Sequence, residues 1–357
     1  MTLILNNAEI AELMEIGPLI DAMDEAYRGY AAGRGLNRRR SDTVAATGRE
    51  GVLYGLKSMD GVSPDLGVGA VRINSDVITH PRIDGAVRRK KVPAAPGERF
   101  TGLVLLFSTE TGEPLAIFPD GVVQRYRVAA ANGLAHRALA PEGPLEVGMI
   151  GSGWQAGTQA MAICATRPVT RIRVWSPNED NRRAFCAEIS SRLGVDMEPV
   201  ESPEAAMAGA QVALCATSSL EPVFRDAWAR PGMHLSTVKR AEIEAAAMRR
   251  ADRLVIHSRD AAPFLTLSVD ADAPDVDKPV SGAMLSDFDF TTLPTLADLV
   301  AGSVEGRTSP DQMTCFVNNI GMGLQFAIAG RVLLDRAKAA GAGRELPTEW
   351  FTQKEHP

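Results

Sequence analysis

The sequence is poor in the residues that build metal centres and disulfide frameworks. Its 357 residues include four cysteines with no CxxC pair, and His136, His234 and His257 are scattered. No apolar run reaches the ~18 residues that cross a membrane. The net charge of -6 gives no overall attraction to nucleic acid. We therefore expect no metal site, no disulfide scaffold, no membrane span and no nucleic-acid partner.

The amino-terminal stretch also lacks the features of an export signal. MTLILNNAEIAELMEIG has no basic flank, no apolar core and no small-residue cleavage site. The few, widely spaced cysteines are expected to be reduced. Both observations favour a cytoplasmic protein, and the length is sufficient for two domains that each bury a core.

What the sequence does contain is an abrupt pair of glycines after an apolar run, in VGMIGSGWQAGTQAMAI. The GxGxxA pattern lies between a strand-like and a helix-like segment and consists of Gly151, Ser152, Gly153, Trp154, Gln155 and Ala156. In such a turn the first glycine allows a tight bend and the second lets a pyrophosphate approach the backbone. The free N–H groups of the following helix bind the phosphates. The stretch therefore predicts a dinucleotide-binding turn.

Around this turn, strand-like and helix-like segments alternate. The predicted strands are LEVGMI, RIRVWS, AQVALCAT, MHLSTV and RLVIHS, and the predicted helices are 155–166, 178–193, 203–209 and 241–250. Such alternation is typical of a parallel sheet covered by helices on both faces. We predict an α/β fold with a Rossmann-type nucleotide domain over residues 126–310.

Residues 1–125 have a different sequence pattern. Asn6 or Asn7 can cap a first helix, Gly17-Pro18 starts a second, and short β-like runs follow. The clearest run is GLVLLFSTETGEPLAIF, where Thr111-Gly112 is expected to join two strands into a hairpin. Together with a strand and a long helix in 311–345, this region predicts an antiparallel α+β domain.

The segment 77–100 is predicted to be a long exposed loop, because it contains Pro81, Pro93 and Pro96. Its six cations are Arg82, Arg88, Arg89, Lys90, Lys91 and Arg99. These cations could close over an acidic substrate, contact a partner protein, or simply be solvated.

The end of the second predicted strand bears on cofactor choice. NAD-binding turns usually have an acidic residue there, about 20 positions after the glycines, which holds the ribose 2′-OH. This chain has Ser176-Pro177-Asn178, with Arg182 and Arg183 a turn later. Ser176, Asn178 and an arginine could accept a 2′-phosphate, so the sequence favours NADP slightly over NAD. The alternative is that both arginines are solvated helix residues.

From about residue 30 to 340, these stretches resemble the ornithine cyclodeaminase/mu-crystallin family. The resemblance is carried by LYGLK with Gly61 and Pro64, by ETGEPLAIFPDG, by RVAAANGLAHRALA and by MIGSGWQAGTQA. It implies a homodimer in which the first domains pair, so that 1–125 with 311–345 serve in substrate binding and dimerisation. It also implies NAD(P)-dependent hydride transfer at the carbon bearing nitrogen of a small α-imino or α-amino acid.

The resemblance further implies roles for individual residues. Lys57 matches a catalytic lysine that contacts the substrate, and Arg127 matches an arginine that grips the substrate carboxylate. Arg40, or a neighbour in the Arg38–Arg40 run, matches a second carboxylate-binding arginine. Ile320 and Asn319 match positions that line substrate and nicotinamide, and we assign Thr217 and Val238 to cofactor binding as well.

The sequence departs from the cyclodeaminases in one loop. They carry an Asp in a Gly-Gly-Asp-like loop that handles the amine, whereas MHLSTV here runs into Val238-Lys239-Arg240-Ala241-Glu242. Val128 also stands where the family commonly has Thr. Glu242 or Glu244 could replace the Asp, but an ordinary acidic helix start is the favoured interpretation of both.

We therefore predict an NAD(P)H-dependent imine reductase that can run in reverse as an amino-acid dehydrogenase. One alternative is a cyclodeaminase-type lyase that recycles NAD. The other is a non-catalytic NADP-binding protein, similar to mu-crystallin or acting as an accessory subunit.

Overall fold

The computed structural model describes residues 1–83, 86–87, 90–93, 95–219, 221–260, 264–271 and 289–355. The segment 77–100 is called the basic segment below. Its residues Arg88 and Arg89, and the side chain of Arg82, lie outside the described part. Within it, none of the helices is both long and apolar enough to span a membrane. The same residues contain no group of three or more His, Cys, Asp or Glu that could hold a metal ion.

The strands of the described chain are β1 (Thr2–Ile4), β2 (Leu36–Asn37), β3 (Ser41–Ala46), β4 (Val52–Ser63), β5 (Val68–Thr79), β6 (Arg82–Ile83), β7 (Ala86–Val87), β8 (Lys90–Val92), β9 (Thr101–Ser108), β10 (Pro114–Pro119), β11 (Leu145–Ile150), β12 (Val169–Trp175), β13 (Asp196–Pro199), β14 (Val212–Cys215), β15 (His234–Thr237), β16 (Arg253–Ile256), β17 (Phe264–Leu267), β18 (Thr314–Val317) and β19 (Arg344–Leu346).

The α-helices are α1 (Asn7–Leu13), α2 (Ile16–Ala31), α3 (Gly121–Leu139), α4 (Ala156–Thr166), α5 (Glu179–Leu193), α6 (Pro203–Met207), α7 (Ala245–Arg249), α8 (Leu296–Val300) and α9 (Leu324–Ala340). Single 3₁₀ turns lie at Pro64–Leu66, Asp226–Trp228, Arg240–Glu242 and Thr348–Phe351. Asn6 caps α1 as predicted, because its side chain accepts the Ala8 and Glu9 N–H groups.

One sheet has seven parallel strands in the order β13-β12-β11-β14-β15-β18-β16. This confirms the parallel α/β sheet and all five strands predicted for it. Two members were missed: β13, which is the short polar stretch DMEP, and β18. β18 lies between β15 and β16, so its residues belong to this sheet and not to the first domain, where the sequence placed 311–345.

The other large sheet has ten strands and is mostly antiparallel, with the path β17-β3-β4-β5-β9-β10-β1-β19. The remaining two strands lie off this path, where β2 pairs with β4 and β8 pairs with β5. The predicted hairpin joins β9 to β10, and Gly112 has the positive φ of 74° that its turn requires. β17 pairs with β3, although the sequence assigned the whole of 126–310 to the nucleotide domain. The domain division predicted from the sequence is therefore corrected at β17 and β18.

Helix α9 packs on the inner face of the ten-stranded sheet. Its amino terminus approaches β4 so closely that a Cβ on Gly61 would lie 2.1 Å from the Leu324 nitrogen. Only glycine allows this contact, which fixes the segment just before α9 against β4. That segment reaches the candidate site.

The basic segment is not a continuous loop. Lys90–Val92 forms β8 and pairs antiparallel with the end of β5, and 77–79 belongs to β5 itself. The prediction was wrong here because three extended residues, two of them lysines, give no apolar alternation of their own. Lys90–Val92 forms a strand because it pairs with β5.

Candidate active site

A cavity of about 310 Å³ lies at the carboxyl ends of the parallel strands, where ligands bind in open α/β sheets. On one side, the cavity is lined by residues that follow the parallel strands β11, β14, β15 and β18. On the other side, it is lined by residues of α3 and by Arg40, which immediately precedes β3. The lining residues are Arg40, Gln124, Arg127, Val128, Gln155, Thr217, Val238, Lys239, Asn318, Asn319, Ile320 and Gly321.

The glycine turn after β11 borders this space. Gly151 has a φ of 114°, and a Cβ there would lie 2.3 Å from the Ala216 carbonyl oxygen, so this glycine is required by the fold. A Cβ on Gly153 would meet no atom within 4 Å. The side chain of Gln155 keeps a buried Oε1 without a hydrogen-bond partner in the described chain. The open space beside Gly153, at the start of α4, fits a pyrophosphate.

Gly153→Val is expected to fold and to bind NAD(P)H at least tenfold more weakly, because the new side chain would occupy the space that we assign to the pyrophosphate. Gly48→Val is the matched control, since Gly48 also has open space and no left-handed φ. Fluorescence titration of NADH and NADPH measures both affinities. Unchanged affinity in folded Gly153→Val would show that the turn does not hold the dinucleotide.

The end of β12 carries the residues expected near the adenosine ribose. The Ser152 and Ser176 hydroxyls are 2.8 Å apart, and the Asn178 side chain caps α5 by accepting the Asn181 N–H. Arg182 is buried and donates to the Ser176 carbonyl oxygen at 2.6 Å. The interpretation of Arg182 as a solvated helix residue was therefore wrong. Arg183 is the exposed one, and it pairs with Glu179 at the surface.

Arg127 lies on α3 and is buried at the cavity wall with 4% exposure. Its Nη1 donates to Gln325 Oε1 at 2.7 Å and its Nε to Gln124 Oε1 at 3.3 Å, and the guanidinium stacks on Phe326. The ion pairs between described residues include none that joins Arg127 to a carboxylate. Neutral amides thus orient this cation without neutralising it.

The electrostatics of Arg127 favour an incoming anion. Burial, together with the positive charges of Arg72 and Arg40, lowers the pKa of its guanidinium to about 9 against the raising effects of Tyr27 and Asp120. A buried cation is costly unless a counter-charge reaches it. A ligand carboxylate would supply that charge through a bidentate pair.

Arg40 reaches the same cavity, unlike the other two arginines of its run. Arg38 pairs with Asp60 at the surface, and Arg39 stacks on the Phe264 ring. Arg40 is held by Asp42 at 2.9 Å. Of the three arginines in this run, Arg40 is therefore the one that the structure places at the cavity.

Lys57 is not among the residues that line the cavity. It lies on the inner face of β4, directly opposite Asp42 on β3, and is 7% exposed. Its Nζ donates to Asp76 Oδ2 at 2.8 Å. Since Asp42 holds the cavity residue Arg40, Lys57 is one strand away from the cavity wall. No pattern in the sequence predicted its partner Asp76.

Ile320 and Asn319 both line the cavity, in the segment before α9. The Asn319 side chain points away from it, because its Oδ1 accepts the His257 and Ser258 N–H groups. Burial lowers the pKa of His257 to about 4, so its ring is neutral at pH 7. The ring bridges the Ile320 carbonyl oxygen and the Tyr27 hydroxyl. Because a carbonyl only accepts, Nδ1 carries the proton.

Glu242 belongs to the 3₁₀ turn Arg240–Glu242 and accepts the Lys239 N–H at the start of that turn, as an acidic helix start would, but its contacts extend further. Its fully buried carboxylate accepts the Thr217 N–H and hydroxyl through Oε1 and the Val238 and Lys239 N–H groups through Oε2. Burial raises its pKa. Of the helix predicted at 241–250, only α7 forms. The residues before it instead place Glu242 so that it connects the loop at Thr217 to the loop at Val238. Glu244 stands at the N-cap position of α7 and accepts the Asp226 N–H.

Several lining residues were not predicted from the sequence. Gln124 precedes Arg127 by three positions on α3, so helical spacing could have identified it. Lys239 Nζ donates to the Ser219 carbonyl oxygen at 2.8 Å while lining the cavity. The remaining additions neighbour predicted residues in the chain and are Asn318 and Gly321.

Comparison with known proteins gives a match over nearly the whole chain. The sequence profile of the ornithine cyclodeaminase/mu-crystallin family matches residues 1–341. A Delta(1)-pyrroline-2-carboxylate reductase of Bacillus cereus is 25% identical over 250 residues, covering 69% of this chain and 74% of that protein.

Solved structures share the fold. The Delta(1)-pyrroline-2-carboxylate reductase of Thermococcus litoralis, solved with NADH and L-proline, superposes with a TM-score of 0.75 at 23% identity over 97% of this chain and 100% of that one. The iminosuccinate reductase of Paracoccus denitrificans, solved with NAD+, gives 0.76 at 22% identity, covering 97% and 99%. At these identities the likeness establishes the architecture.

Proposed function

The chain belongs to the ornithine cyclodeaminase/mu-crystallin family, and from that premise we propose that it reduces a small α-imino acid with NAD(P)H. The reaction is reversible, so the same site would act as an amino-acid dehydrogenase. The relatives named for reduction of pyrroline-2-carboxylate and iminosuccinate support this choice.

The observation that carries the proposal is the environment of Arg127. This buried guanidinium is oriented by the amides of Gln124 and Gln325 and reaches the cavity beside Arg40. A pair of arginines around one carboxylate fixes its position and direction. The cavity also borders the open glycine turn at the ends of the parallel strands, so an acid bound there would lie beside a dinucleotide.

Each group of the chain then has a defined task. Arg127 and Arg40 bind the α-carboxylate, and Glu242 holds the Thr217 and Val238 loops in place around the dinucleotide. Lys57, which the family resemblance assigns to catalysis and which lies one strand away from the cavity wall, would supply the proton that the substrate nitrogen gains as its C=N bond becomes single. A bound NAD(P)H would supply the hydride to the imine carbon. The proton and the hydride together balance the reduction of imine to amine.

The cofactor is proposed to be a nicotinamide dinucleotide, with the preference for NADP kept as a prediction. No carboxylate stands at Ser176 or Asn178 to repel a 2′-phosphate. Arg182 is already engaged by the Ser176 carbonyl and Glu201. Arg183 is therefore the arginine that a 2′-phosphate would recruit, because its exposed pair with Glu179 is screened by solvent and is weak.

We further propose a homodimer formed through the outer face of the ten-stranded sheet. That face exposes the large apolar side chains of Tyr54, Leu56 and Leu103 to between 38% and 43%. An exposed apolar sheet face of this kind marks an interface. Light scattering is expected to give twice the mass of the chain, and Leu103→Asp to shift the protein towards monomer. A wild-type monomer at micromolar concentration would refute the dimer.

The proposed activity is tested by a screen of α-keto acids with ammonia or methylamine against NADPH and NADH. Loss of absorbance at 340 nm that depends on both carbon and nitrogen substrates supports the reductase, and the ratio of rates gives the cofactor preference. Ammonia release from a diamino acid with unchanged NAD would instead support the lyase. Dinucleotide binding without any turnover would support the non-catalytic binder.

A further inference from the structure

The basic segment contributes a buried charge contact that neither the family resemblance nor the proposed reaction assigns. Asp76 on β5 is buried, and each of its carboxylate oxygens binds one lysine. Lys57 Nζ lies 2.8 Å from Oδ2, and Lys91 Nζ lies 2.9 Å from Oδ1. The two lysines therefore share one counter-ion from opposite sides.

The strand register explains why Lys91 reaches this carboxylate. Lys91 pairs with Ile78 across the β5–β8 ladder, and Ile78 points to the same buried face as Asp76. Diagonal neighbours on one face are within reach of a long side chain. Lys90 pairs with Thr79, so it points to the opposite face of the sheet. The pleat of the strand thus directs the side chains of Lys90 and Lys91 to opposite faces of the sheet.

We propose that Lys91 is a positioning residue for the reaction, and that it sets the charge state of Lys57 through Asp76. This rests on the proposed function, in which Lys57 holds the proton for the substrate nitrogen. Lys91 takes up part of the negative charge of Asp76. Without Lys91, the whole carboxylate would act on Lys57 and hold its proton more firmly.

The electrostatics of Asp76 agree with this arrangement. Burial would raise the pKa of its carboxyl, but the hydrogen bonds from Lys57 and Lys91 outweigh burial and lower it. Asp76 is therefore ionised at neutral pH. The other charged groups on this face of the described strands occur as pairs, namely Arg40 with Asp42 and Arg72 with Asp120. Arg99, from the segment that precedes β9, lines the same small cavity as Asp76.

The test is the pH dependence of kcat/KM for the best imine found in the screen. If Lys57 must be protonated, activity falls as pH rises through its pKa. Lys91→Met removes a nearby cation, so the pKa of Lys57 and the alkaline limb are expected to move up by roughly 0.5–1 unit. Asp76→Asn removes the anion, so the limb is expected to move down by about 1 unit or more. Lys90→Met should leave it in place.

A second readout needs no substrate and separates this proposal from the proposed function. The pH dependence of Lys57 acetylation by acetic anhydride, followed by mass spectrometry, reports its protonation directly. The same ordering is expected: half-labelling at higher pH in Lys91→Met, at lower pH in Asp76→Asn, and unchanged in Lys90→Met. The Lys91 side chain is 44% exposed, so its loss should not affect folding.

Two results would overturn the role of Lys91. One is an identical labelling profile in wild type and Lys91→Met, and the other is an equal shift in Lys90→Met, which would indicate a general charge effect. Absence of imine reduction with the labelling shifts intact would instead remove the proposed function and leave the lysine–aspartate coupling standing.

Discussion

Arg127→Met is expected to lower kcat/KM for the imine substrate by roughly a hundredfold or more, mainly through a raised KM. A charge-assisted contact to the substrate carboxylate contributes about 1.5–3 kcal/mol. Misorientation of the bound imine would add some loss of kcat. The affinity for NAD(P)H should remain within a few-fold of wild type, because Arg127, oriented by the amides of Gln124 and Gln325, is proposed to bind the substrate and not the dinucleotide.

The variant should not lose stability. Replacing a buried, uncompensated cation by an apolar side chain of similar length is often neutral or stabilising. Arg137→Met is the control on the same helix, since Arg137 pairs with Asp21 at the surface. Steady-state kinetics and thermal melts measure both variants. A normal KM in folded Arg127→Met would mean that the substrate carboxylate is bound elsewhere.

Lys57→Met is expected to reduce kcat by about 10²–10⁴-fold, the range for loss of a general acid. The fold should survive, because Asp76 keeps Lys91 as a counter-ion after Lys57 is removed. NAD(P)H binding should be unaffected, since Lys57 lies on β4 and away from the glycine turn.

Single-turnover oxidation of enzyme-bound NAD(P)H by excess imine isolates the step that Lys57 is proposed to serve. Lys90→Met, on the other face of the β5–β8 ladder, should match wild type in the same assay. If Lys57→Met retained near wild-type single-turnover rates, the proton would have to come from another group, and the assignment of Lys57 by resemblance would fail.

The elements that the sequence could predict are those with a local signal. Apolar runs interrupted at regular intervals identified β11, β12, β14, β15 and β16. Gly151 and Gly153 marked the turn, and Thr111-Gly112 marked the hairpin between β9 and β10. In each case, the residues that determine the structure are neighbours in the chain.

The features that were missed depend on distant residues. β13 has no apolar run, and only its pairing with β12 gives it order. Glu242 resembled a helix start until the fold placed it against Thr217, 25 positions away. Asp76 and Lys91 meet only because β8 adds to the ladder of β5. No periodicity in the sequence encodes such contacts.

The site residues likewise differ in whether the sequence alone could locate them. The glycine turn could be located from its own residues, whereas Arg40 was uncertain within a run of three arginines. The tertiary structure distinguishes them, since Arg38 and Arg39 find partners in Asp60 and Phe264 while Arg40 reaches the cavity.

The central claim is that this site reduces an imine with hydride from a dinucleotide. The most direct test measures NAD(P)H oxidised and amino acid formed in the same reaction, with an α-keto acid and an amine supplied to the purified protein. The account predicts one equivalent of amino acid for each equivalent of NAD(P)H consumed, with both lost in Arg127→Met. Product formation without net consumption of NAD(P)H, or tight binding of NAD(P)H without any amino acid formed, would contradict it.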